Sequence, residues 1–155
     1  MKIIEHPVQL PHSAFLEATW GDKFQLSTTN RFDSAYAAAE QMIGTQPAWL
    51  NMLLKTRDVI VSPFGLKTMK DISATKTKMV GIFPVLKETE NQLIAGADDK
   101  HLNFRLVINR KQNDNQTLIS VTTLVKINNV LGKAYLTTIM PFHRFIVQHS
   151  LRSIG

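Results

Sequence analysis

The chain has 155 residues, 44% hydrophobic and 19% charged, which suits one globular domain spanning 1–155 and not a disordered tail. It contains no cysteine, so disulfide frameworks, thiolate metal sites and cysteine nucleophiles are excluded. The net charge of +6 is uneven: residues 1–99 hold ten Lys or Arg against eleven Asp or Glu, while residues 100–155 hold eight against Asp114 alone.

The opening MKIIEHPVQLPHS carries too short an apolar run for a signal peptide. No stretch approaches the ~20 apolar residues of a membrane-spanning helix, so a cytoplasmic protein without a membrane span is expected. Residues 20–28, WGDKFQLST, alternate, with Trp20, Asp22, Phe24 and Leu26 on one side, and read as a first strand. Asp33-Ser34 offers an N-cap to the helix former AYAAAEQMI, which Gly44 stops. Pro47 then opens a second short helix, AWLNMLLKTRDVIV, and Ser62-Pro63-Phe64-Gly65 ends it. Residues 66–78 are polar and weakly patterned, which predicts a loop.

From Met79 the chain reads as four consecutive strands: MVGIFPVLKE, NQLIAGA, HLNFRLVINR and TLISVTTLVKIN. Their short, turn-forming links predict an antiparallel meander. Pro84 points to an edge or a bulge. Leu102, Phe104, Leu106 and Ile108 share one face, as do Ile119, Val121, Thr123, Val125 and Ile127, and both sets should face the core. After Asn128-Asn129 the period changes, and VLGKAYLTTIMPFHRFIVQHSLRSI reads as a long helix. Tyr135, Ile139, Phe142, Ile146 and Ser150 would form its inner stripe, with a kink at Pro141. The expected fold is α+β: a curved antiparallel sheet gripping a long C-terminal helix, with two short helices after the first strand.

Three stretches carry a resemblance: PAWLNMLLKTRDVIVSPFGLKT (47–68), AGADDKHLNFRL (95–106) and TTLVKINNVLGKAYLTTIMPFHRFIVQHSLR (122–152). They resemble the uncharacterised bacterial family catalogued as domain of unknown function 2867, over nearly the whole chain. The resemblance implies a helix-grip fold of the START and Bet v 1 kind and no known activity. Some relatives are fused to nucleotide-binding, dehydrogenase-like domains, but here no G-x-G-x-x-G follows any strand.

Several side chains could carry chemistry. Asp98, Asp99, Lys100 and His101 are either an acid–base group or a tight hairpin whose Asp side chains bond nearby amides. Neighbours on a strand point to opposite faces, which favours the hairpin. Arg105 either binds an anion or pairs with an acid on the outer sheet face. His143, just past Pro141, is either a pocket-facing acid, base or ligand anchor, or a core histidine with its hydrogen bond made. Arg144 should reach solvent or an acidic partner, the Asp98-Asp99 turn being one choice. No HxH or HExxH pair and no G-x-S-x-G occurs, so neither a metal, a cofactor nor a serine nucleophile is called for.

The expected role is binding a small, largely apolar molecule between the sheet and the last helix. His143, Tyr135 and His101 would be its polar contacts, and Trp49, Phe104, Phe142 and Ile146 its walls. The alternative is an enzyme on the same cavity, a hydrolase, cyclase or isomerase using His143 or the Asp99/His101 pair. Third comes an interaction module using the basic last third. No aromatic residues interleave with those charges, so a nucleic-acid partner is not favoured. A homodimer stays open.

Overall fold

The computed structural model describes residues 2–44, 78–81 and 83–155. The expected helix after Pro47, with Trp49, and most of the 66–78 stretch lie outside the described residues.

Nine elements are described: β1 (Ile3–His6), β2 (Trp20–Thr28), α1 (Ala35–Gly44), β3 (Met79–Val80), β4 (Phe83–Glu88), β5 (Gln92–Asp98), β6 (Leu102–Gln112), β7 (Thr117–Ile127) and α2 (Val130–Arg152). The strands form one antiparallel sheet in the order β1-β2-β7-β6-β5-β4-β3. The meander from β4 to β7 and the long last helix match the reading of the sequence, and the fold is α+β.

Three details differ. A four-residue strand, β1, precedes the one expected first. The expected strand from Met79 is two, parted by Gly81, whose φ of +59° suits glycine alone. The β4–β5 register also slips between Val85 and Lys87, beside Pro84.

Alternation sorts the sheet faces as expected. On the inner face Phe24, Leu26, Leu93, Ile108, Ile119 and Val121 are buried together. Helix α1 covers one part of this face with Ala35, Ala38, Ala39 and Met42. That i, i+3, i+4, i+7 stripe of small side chains lets the helix lie close to the strands. Ser34 caps it, accepting from the Ala37 amide at 3.0 Å.

Helix α2 covers the rest. Its buried side is Gly132, Leu136, Val147, Ser150 and Leu151. This corrects the expected stripe: Phe142, taken as an apolar wall, is 55% exposed on the outside of the helix. Apolar residues lie almost all round α2 near position 142, so spacing alone did not choose the buried side.

The opposite sheet face is also covered. Val8, Ala14, Phe15 and Ala18 pack on Ile94, Val107 and Leu124. The chain between β1 and β2 therefore straps the outer face of the sheet.

Candidate functional site

One charged residue interrupts the inner face of β2. Asp22 lies between Trp20 and Phe24, and its side chain is only 6% exposed. A buried carboxylate is costly unless paired and hydrogen-bonded. Its partner is His143, on the turn of α2 that crosses β2, with Nε2 3.2 Å from Asp22 Oδ2 and 3.4 Å from Oδ1. The nearer oxygen is off the N–H direction, and among the described residues it accepts no hydrogen bond. Trp20 meets the His143 ring edge-on, with centroids 6.2 Å apart.

Directly opposite Asp22 on β7 stands Thr123. It too is buried, and its hydroxyl has no hydrogen-bond partner among the described residues. Asp22, Thr123 and His143 thus make a polar seam between two apolar clusters. Toward the start of α2 lie Leu102, Val125 and Leu136, with half-buried Trp20, Phe104, Tyr135 and Met140. Toward its end lie Phe24, Val121, Val147 and Leu151, with half-buried Leu106.

The next residue of α2 fixes the helix over this seam. Arg144 grips Glu5 of β1 through two hydrogen bonds of 2.6 and 2.8 Å and lies over the Phe24 ring. The guanidinium's hydrogen bonds hold the Glu5 carboxyl below the usual carboxylate range, and the same bonds push Arg144 further up. The acidic partner is Glu5, not the Asp98-Asp99 turn.

That turn is a hairpin. The Asp99 amide donates to the Leu102 carbonyl and to Asn103 Oδ1, and Asp99 Oδ1 accepts from the Lys100 amide. Asp98 pairs with Arg105 at 2.7 Å on the outer face, where Arg105 also lies 4.6 Å over the Phe15 ring.

His101 is buried at the start of α2. Asn129 caps this helix by accepting from the Gly132 amide at 3.0 Å, so its Nδ2 is left to donate to His101 Nδ1 at 2.8 Å. Gly132 is required here, because a Cβ would come within 2.1 Å of the His101 carbonyl oxygen. His143 is more than three helical turns from this cap, roughly 20 Å along the axis. The structure therefore does not bring His101 and His143 together.

Of the remaining expected contacts, Tyr135 and Phe104 border the first apolar cluster, and Phe104 meets Phe83 edge-on. Ile146 is half-buried. Trp49 lies outside the described residues.

Four of the eight basic residues in the last third pair with acids from the first 99 residues. Arg105, Arg110, Lys126 and Arg144 pair with Asp98, Glu90, Glu17 and Glu5. Among the described residues no three His, Asp or Glu side chains are grouped to hold a metal ion, and no helix is long and apolar enough to cross a membrane.

The family model described as "Protein of unknown function (DUF2867)" matches residues 14–150. The chain belongs to the DUF2867 family. No curated protein and no solved structure matches it. The family match spans β2, β7 and most of α2, and hence the whole Asp22–Thr123–His143 seam of this DUF2867 protein.

Proposed function

We propose that this protein binds a small, largely apolar molecule between the sheet and α2, in a helix-grip arrangement of the START and Bet v 1 kind, with His143 as polar anchor. The observation that carries the proposal is the Asp22–His143 pair, a costly polar unit held between two apolar clusters. Ligand sites of this type are mostly apolar with a few oriented polar groups. Half-buried Trp20, Phe104, Leu106 and Met140 supply the apolar contacts. The placement within the cell that goes with it is cytoplasmic, which cell fractionation checks.

Native mass spectrometry of the protein purified from its source is the test. A bound small molecule, lost on denaturation, is the expected result. A clean apo mass together with no uptake from a panel of apolar probes overturns the proposal.

One observation favours a second reading, catalysis. A carboxylate behind a histidine orients the ring, and Nε2 faces Asp22, so Nδ1 is the nitrogen left for a substrate. Once a bound molecule is in hand, His143→Ala separates the readings. It abolishes turnover if His143 is an acid or base, and only weakens binding if it is an anchor.

A further inference from the structure

We infer that the molecule bound beside Asp22 is a neutral apolar alcohol, held by its hydroxyl group, and not a carboxylate such as a fatty acid. This rests on the ligand-binding proposal above and names the chemistry of the ligand's polar end.

Two buried oxygens carry the inference. Asp22 Oδ2 is an acceptor without a hydrogen bond among the described residues, on a side chain 6% exposed. Thr123 Oγ1, on the residue paired with Asp22 across β2 and β7, is buried and has no hydrogen-bond partner among the described residues. Leaving either group without a partner is unfavourable, and native proteins rarely tolerate two such groups as neighbours. A carboxylate is an acceptor only, whereas a threonine hydroxyl can donate or accept. The group that satisfies both must give a proton to Asp22 and either take one from Thr123 or give it one. A ligand hydroxyl does both with a single oxygen.

Other ends fit worse. A ligand carboxylate brings a second negative charge against Asp22 in a site with little water, and offers it no donor. The nearest guanidinium, Arg144, is already engaged by both oxygens of Glu5. A plain hydrocarbon leaves both oxygens as they are. An ammonium could donate to both oxygens, but it would have to shed its water to enter a site whose carboxylate already has His143 as its basic partner.

The experiment compares 1-decanol with decanoate, equal in chain length and different only at the polar end. Their dissociation constants are measured by equilibrium dialysis on the full chain and on two variants. Thr123→Val removes the hydroxyl while keeping the shape of the side chain, and it should fold at least as well as the parent because it deletes an unsatisfied buried group. Asp22→Asn is the second variant. Decanol is expected to bind about tenfold tighter than decanoate, and each variant should weaken decanol by about tenfold, the worth of one good hydrogen bond. Decanoate binding as tightly as decanol, or decanol binding unchanged in a folded Thr123→Val protein, overturns the alcohol assignment and leaves the apolar-ligand proposal standing. Uptake of neither probe overturns both.

Discussion

Replacing Asn129 by alanine should destabilise the protein far more than the loss of one exposed side chain would suggest. The side chain does two jobs. Its Oδ1 caps α2 at Gly132, and its Nδ2 satisfies the buried ring of His101. Losing an N-cap costs about 1 kcal/mol. Taking the Asn129 hydrogen bond from the buried His101 ring costs about 1–3 kcal/mol more. The sum, about 2–4 kcal/mol, corresponds to a fall in melting temperature of roughly 5–15 °C for a chain of this size. Thermal unfolding followed by circular dichroism measures it. Asn129→Ser should recover the cap and not the histidine contact, and so fall between parent and alanine variant. A loss under about 1 kcal/mol for Asn129→Ala, or an Asn129→Ser protein as stable as the parent, would show that His101 does not depend on Asn129.

Gly132→Ala should cost about 1–3 kcal/mol through forced separation of α2 from the 99–102 turn, and amide exchange in the first turn of α2 should rise. Leu151→Ala, at a fully buried position, should cost about 2–5 kcal/mol, while Phe142→Ala, 55% exposed, should stay within about 0.5 kcal/mol. The reverse order in urea unfolding would mean that α2 presents its other side to the sheet. Because Arg144 lowers the Glu5 carboxyl in the folded state, the pair's contribution is present above the unfolded carboxylate value and is lost as pH falls through the folded one. Both side chains are nearly half exposed, so the effect is under about 1 kcal/mol. Arg144→Gln should flatten that acid limb in unfolding measured against pH, and an unchanged limb would refute the assignment.

The meander and the last helix were legible because each repeats a clear period over many residues: two for Leu102 to Ile108, close to 3.6 after Asn129. Strand β1 has four residues and ends at Pro7, too short for a period to show. The strap from Val8 to Ala18 was missed for a related reason. It is neither helix nor strand, so no periodicity marks Ala14 and Phe15 as buried against Val107 and Leu124. Half of the candidate site was visible. His143 stood out beside Pro141, and Asp22 could have been flagged as the lone charge in the apolar register of Trp20, Phe24 and Leu26. What no pattern gives is that α2 crosses β2 so that the two meet, or that Thr123, an ordinary strand residue, faces Asp22.

The strand order also sets a schedule for the polypeptide. β4 to β7 are joined by short links and can pair as they are made, but β2 has its neighbour in β7, about a hundred residues downstream. Such long-range pairing is slow, because the intervening chain must be closed before any contact rewards it. During synthesis β2, with the apolar side chains of Phe24 and Leu26, has only the short β1 to pair with until the ribosome has released β7. Asp22 and Thr123 sit on opposite sides of that last junction. The polar seam therefore comes into being only when the two ends of the chain meet, so a ribosome-stalled fragment lacking β7 has every residue of β2 and no seam.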